Sequence, residues 1–202
     1  MKLAFFLVNC FVFCHSLHGQ WVGGGVKAGF GHNAADAWSR GKTTELFRPT
    51  VGAFVEVRLP FGLAVEGSAL RREAAYIYTS GSRAMAFREG QAEGRAWEYP
   101  VVGKVRLGPW RWKPFVVAGP TWLRMGRLTG SQSCVGPACG VGLGPVPVEI
   151  PGRTDRGFTM GGGVERRWGP VRLSAEGRHS RFVTGTGTAR SGQTLVLFGI
   201  GF

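Results

Sequence analysis

The stretch Gln193-Thr194-Leu195-Val196-Leu197-Phe198-Gly199-Ile200-Gly201-Phe202 decides the fold. Val196, Phe198, Ile200 and Phe202 recur at every second position and Gly199 and Gly201 oppose them, so one face of a β-strand carries a bulky apolar row. The pattern repeats upstream. Val51, Ala53, Val55, Val57 and Leu59 share a face against Gly52, Phe54, Glu56 and Arg58. Phe158, Met160, Gly162 and Val164 oppose Thr159, Gly161, Gly163 and Glu165. The bulky face carries almost no charge, while the opposite face mixes small residues with charges.

Working outward, eight segments alternate in this way: 21–30, 50–59, 63–78, 96–107, 112–128, 158–166, 171–182 and 194–202. The connections at 60–62, 108–111 and 167–170 are short, and those at 31–49, 79–95, 129–157 and 183–193 are long. Short turns at one end and long loops at the other are the pattern of outer-membrane barrels. With no water in a bilayer to satisfy an open edge, the sheet must close. The expected fold is all-β, an eight-stranded antiparallel up-and-down transmembrane β-barrel. Pro114 and Pro120 interrupt the fifth segment, whose faces the pattern leaves unassigned.

A soluble barrel would also alternate, with its apolar face inward. The charges and aromatics favour the membrane version. Lys27, Glu56, Arg58, Glu66, Lys104, Arg106, Glu165, Arg172, Glu176 and Arg178 fall on the small-residue face, as a lumen of paired charges requires. Trp21, Phe61, Trp110, Trp112, Trp168 and Phe202 gather near the short turns; Phe30, Tyr76, Tyr78, Trp97, Trp122 and Phe182 gather toward the long loops. Two such girdles match the interfacial preference of amphipathic rings. Leu63-Ala64-Val65-Glu66-Gly67 resembles Leu173-Ser174-Ala175-Glu176-Gly177, each followed four residues later by Arg71 or Arg181, which sets Glu66 and Glu176 at equal depth.

Bulk properties agree. The 202 residues fit one domain, and 34 glycines, more than double the usual share, favour a turn-rich sheet protein. Lys2, the apolar run from Leu3 to Cys14 and the polar exit Ser16 to Gly19 read as a signal peptide over 1–19, leaving a barrel over 20–202. The apolar run is too short to span a bilayer as a helix. Asn9 and Phe13 precede Cys10 and Cys14, poor neighbours for lipoprotein processing. The remaining pair, Cys134 and Cys139, is then expected to form a local disulfide in an oxidising compartment rather than a metal site. The net charge of +13 is spread along the chain without a Lys/Arg-rich tract or a nucleic-acid module. Nucleic acid is therefore not an expected partner, and the phosphates of lipopolysaccharide suit basic loops at an outer membrane better.

Residues 193–202 also look like the final strand by which the barrel assembly machinery recognises its clients. With the strand count, the export segment, and the segments Val51-Gly52-Ala53-Phe54-Val55-Glu56-Val57-Arg58-Leu59-Pro60-Phe61-Gly62, Pro114-Phe115-Val116-Val117-Ala118-Gly119-Pro120 and Glu176-Gly177-Arg178-His179-Ser180-Arg181-Phe182, the chain resembles the small outer-membrane β-barrel domain family. Its best-known relative is the membrane domain of outer-membrane protein A. The resemblance covers roughly residues 20–202 and implies location in a bacterial outer membrane, with surrounding lipid and lipopolysaccharide as partners and no cofactor.

Activity is less legible. His179 and Ser180 are the one pair that suggests catalysis, as in barrels that modify lipid A. Adjacent residues of a strand point to opposite faces, which argues against a direct Ser–His bond. Gly23-Gly24-Gly25 and Gly161-Gly162-Gly163 lie within strands, where close packing explains them better than phosphate binding. The expected role is non-enzymatic: a barrel presenting four surface loops for envelope integrity, lipopolysaccharide contact or adhesion to an unspecified external ligand. A lipid A-modifying enzyme at His179 and Ser180 is the alternative, and a narrow pore the third. Eight strands enclose little more than side chains, which disfavours open diffusion. Detergent-solubilised protein should migrate differently in SDS gels before and after boiling; identical migration, with solubility in plain buffer, would favour a soluble barrel.

Overall fold

The computed structural model describes residues 21–34, 48–82, 86–135, 145–183 and 190–202. The segment read as a signal peptide and Cys139 lie outside the described residues. The strands are β1 (Val22–Ala34), β2 (Arg48–Arg58), β3 (Leu63–Ser82), β4 (Ala86–Arg106), β5 (Trp112–Met125), β6 (Leu128–Val135), β7 (Val146–Ile150), β8 (Arg153–Trp168), β9 (Val171–Val183) and β10 (Arg190–Gly201). Eight of them run antiparallel in the order β3-β2-β1-β10-β9-β8-β5-β4, and pairing of β3 with β4 closes the barrel. A path through Cα partners from Val22 passes Val57, Val65, Gly103, Ala118, Met160, His179 and Thr194. It returns to β1 at His32, a stagger of ten residues. Over eight strands about 4.8 Å apart, that stagger tilts the strands by about 40° and leaves a lumen only side chains can fill.

Backbone chemistry fixes the short-turn end. Phe61 and Gly62 take φ of 63° and 77°, Gly108 takes 70° and Gly169 takes 62°, all left-handed and cheap mainly for glycine. Within the wall, a Cβ at Gly161 or Gly163 would collide with the carbonyl oxygen of Gly177 or Ala175. These two glycines therefore let neighbouring strands approach in a tightly curved sheet.

The other end differs from the expected set of long loops. β3 and β4 continue as one hairpin to the pair Ser82–Ala86, so most of 79–95 is strand. Residues 129–157 supply β6 and β7; β6 pairs with Phe87–Glu93 of β4, forming an extension beyond the barrel wall. β8 starts at Arg153, and β10 at Arg190.

β5 alternates cleanly, with Phe115, Val117, Gly119, Thr121, Leu123 and Met125 inward and Val116, Ala118, Pro120, Trp122 and Arg124 outward. Pro120 on β5 and Pro100 on β4 interrupt the ladders without changing register. The β4–β5 ladder skips Val101–Val102 opposite Gly119–Pro120, and the β3–β4 ladder skips Ser68–Ala69 opposite Tyr99–Pro100.

The outward face carries no charge between its two aromatic rows. Val22–Ala28, Val51–Leu59, Leu63–Ala69, Tyr99–Leu107, Pro114–Pro120, Phe158–Val164, Val171–Gly177 and Val196–Phe202 contribute only apolar, glycine, proline and aromatic residues at their outward positions. Trp21, Phe61, Trp110, Trp112, Trp168 and Phe202 form the row at the short turns, and Phe30, Trp97, Tyr99, Trp122 and Phe158 the other. Phe182, expected in the second row, instead points inward and packs with Ala96, Leu123 and Met125. An arginine at Phe198, between Phe202 in the lower aromatic row and Val196 beside Phe30 in the upper one, should cost about 2–4 kcal/mol in equilibrium unfolding from lipid vesicles; an unchanged midpoint would mean that the faces are reversed.

Candidate functional site

The lumen is filled by two rings of ion pairs. In the upper ring, Lys27 on β1 donates from Nζ to Glu66 Oε1 at 2.6 Å and to Glu176 Oε2 at 2.8 Å. Arg178 donates to Glu66 Oε1 at 2.6 Å and also to Glu176. The two glutamates of the short internal repeat thus hold one lysine between them. Two cations meet two carboxylates, and all four side chains are nearly inaccessible.

The lower ring, toward the short turns, is unbalanced. Glu56 accepts from Arg58 at 3.2 Å, from Arg106 at 2.7 Å and from Arg172 at 2.5 Å, and Lys104 Nζ stands 3.5 Å away. Glu165 accepts from Lys104 at 2.7 Å and Arg106 at 2.5 Å, with Arg172 at 4.0 Å. Four cations therefore share two carboxylates. Phe115 offsets part of the excess, its ring centroid lying 3.8 Å from Lys104 Nζ. Arg172 Nη2 and Arg178 Nη1 are buried with no hydrogen-bond partner among the described residues.

The ten charged positions expected in the lumen lie there in two separate sets, Lys27, Glu66, Glu176 and Arg178 in the upper ring and the other six in the lower. Sequence reasoning missed a third polar layer above them. Glu98 is buried and accepts from Gln193 Nε2 at 3.0 Å and from the hydroxyls of Thr121 and Ser180 at 3.3 Å. Arg72 donates to Gln193, and the Ser180 and Thr159 hydroxyl oxygens lie 2.8 Å apart. A carboxylate between Trp97 and Tyr99 was the available signal, but the expected strand of 194–202 stopped one residue short of Gln193. An apolar trio, Leu70, Leu195 and Leu197, also faces inward. The uninterrupted apolar run Leu195–Phe198 gives no alternation from which to read this.

His179 and Ser180 part company. His179 faces outward, its Nδ1 3.1 Å from Thr194 Oγ1, whereas Ser180 is fully buried in the lumen. Cys134 lies on β6 opposite Arg88. Val196, Phe198, Ile200 and Phe202 are all exposed on the outward face of β10 and just beyond it.

Removing one partner of a buried network strands the others. Glu56→Gln, which leaves four cations around Glu165, should cost about 3–5 kcal/mol in urea unfolding. Glu149→Gln, at an exposed pair 3.6 Å from Arg127, should cost less than about 1 kcal/mol; equal losses would mean that the lumen network contributes nothing special.

No family model and no curated protein matches the sequence. Among solved structures, the chain is similar to neisserial surface protein A, with 14% identity, a TM-score of 0.55, and coverage of 90% of this chain and 97% of that one. Weaker likenesses are Ail, the attachment invasion locus protein of Yersinia pestis (10% identity, TM-score 0.48, 89% and 98% covered), and the N-terminal β-barrel domain of Pseudomonas aeruginosa OprF (9%, 0.42, 89% and 97%). Strand count, closure, the uncharged outward band and the first of these likenesses give one conclusion: the chain has the fold of the small eight-stranded outer-membrane β-barrels.

Proposed function

We propose that the protein is a non-enzymatic integral barrel of a bacterial outer membrane, engaging outer-leaflet lipopolysaccharide through its outward arginines. One observation carries this reading. Just beyond the aromatic row at the long-connection end, Arg71, Arg124, Arg156 and Arg181 are exposed on the outward face. Arg71 and Arg124 flank Trp97 in register, Arg156 lies opposite Trp122, and Arg181 lies opposite Phe158. Guanidinium groups at headgroup depth, paired in register with aromatic residues, suit bidentate contact with phosphate. The short turns then face the periplasm and the hairpin extension faces out, available for adhesion.

The other expectations attach to this reading as proposals. The outward row Val196, Phe198, Ile200 and Phe202 serves as the strand recognised by the assembly machinery, residues 1–19 direct export and are cleaved, and Cys134 pairs with Cys139. A lipid A-modifying enzyme at His179 and Ser180 is disfavoured because their side chains face opposite sides of the wall. A pore is disfavoured by the filled lumen.

The test is unfolding of the wild type and of an Arg124→Ser, Arg156→Ser double variant in vesicles with and without lipopolysaccharide. Lipopolysaccharide should raise the wild-type midpoint, and the double variant should lose at least half of that gain. Equal gains would contradict the contact, and an altered lipid A acyl pattern in cells making the protein would favour the enzyme.

A further inference from the structure

At the end opposite the outward arginines, the short-turn mouth contains a cavity of about 530 Å³ with a strongly one-sided charge. Its inner wall is the lower lumen ring, with Arg58, Arg106 and Arg172 against Glu165. Its outer wall adds Arg111 and Lys113 from the β4–β5 turn and the start of β5, and Arg166 and Arg167 from the end of β8. Arg111, Lys113 and Arg166 have no carboxylate within 4.0 Å among the described residues, and Arg166 lies 5.3 Å from the Trp112 ring centroid instead.

The barrel's own ion pairing does not need this excess. The upper ring balances, so the surplus cations of the lumen lie in the ring that borders the cavity. Arg172 is central to it. It is 8% exposed, lines the cavity, donates to Glu56 through Nη1 and leaves Nη2 without a partner among the described residues. A buried donor with no acceptor is rare in a finished structure. Repulsion among crowded cations is relieved by an added anion in the cavity they line.

We infer that this mouth is a binding site for a phosphate-bearing ligand. Phosphate fits better than a single carboxylate because it brings up to two charges and three strong acceptor oxygens to guanidinium groups that can each bind in a fork. Leu59, Trp110 and Phe202 also line the cavity, leaving room for an apolar portion beside the charged one. Such a group belongs either to an anionic phospholipid of the adjacent leaflet or to a soluble phosphate compound. The site is independent of the outward arginines at the other end.

The experiment uses the whole folded protein and two probes. Calorimetric titration with pyrophosphate in zwitterionic detergent tests the soluble source. Native mass spectrometry of protein exposed to equal phosphatidylglycerol and phosphatidylcholine tests the lipid source. Saturable pyrophosphate binding, or selective retention of phosphatidylglycerol, supports the site, and which appears identifies the source. Arg111→Gln with Lys113→Gln, exposed positions outside the ion-pair rings, should weaken the observed binding at least tenfold while keeping the heat-dependent gel shift of a folded barrel. Absence of both signals overturns the proposal, as does binding that survives the double variant unchanged, which would mark an adventitious ion only. Arg124→Ser with Arg156→Ser should leave this binding unchanged; a loss there would place the binding at the other end and overturn it equally.

Discussion

Closure of the sheet is the constraint on which everything else depends. A bilayer interior offers no partner for a backbone N–H or C=O, so every strand edge must meet another. Here β3 meets β4, and the path round the wall returns ten residues higher on β1. Strand number and stagger together set the bore. The bore in turn decides what the interior can be: too narrow for a channel of bulk water, wide enough for long side chains to reach across it. Lys27 touching both Glu66 and Glu176, on β3 and β9, is that reach made visible.

Burying so many charges is tolerable only because they are paired. Each carboxylate in the two rings has more than one cation, and each bond removes a desolvation cost that a lone group would carry. The wall makes this possible by keeping glycine where a side chain would strike the neighbouring strand and placing Phe54 and Phe115 beneath Lys27 and Lys104. Balance at mid-barrel and imbalance at the short-turn mouth then become two different statements. The first is about stability; the second points to something anionic outside the chain. The outward surface repeats the division, with an uncharged band in the middle and arginines gathered beside aromatic rings at the far end.

Much of this was legible in residues 193–202 and their upstream echoes, because a strand between lipid and a polar lumen must alternate. The ten lumen charges could be named for the same reason. The reading weakened wherever that contrast disappears. Residues 79–82 and 86–95 pair as strands of the β3–β4 hairpin, although the sequence there shows no clear alternation and reads as a loop. Phe182 passes inward near the far end, where the interior itself turns apolar. Leu195 and Leu197 face inward beside outward Val196 and Phe198, a row apolar on both sides. Glu98 and Gln193 are single polar residues, recognisable as a cluster only once the register of β4 and β10 brings them within 3.0 Å.

The central claim is that the lumen is a filled core of ion pairs, not a conduit. Single-channel recording of the purified protein in a planar bilayer tests it most directly. A filled lumen should leave the membrane silent for folded wild-type protein at ordinary holding potentials. Reproducible, uniform conductance steps from the wild type would contradict it.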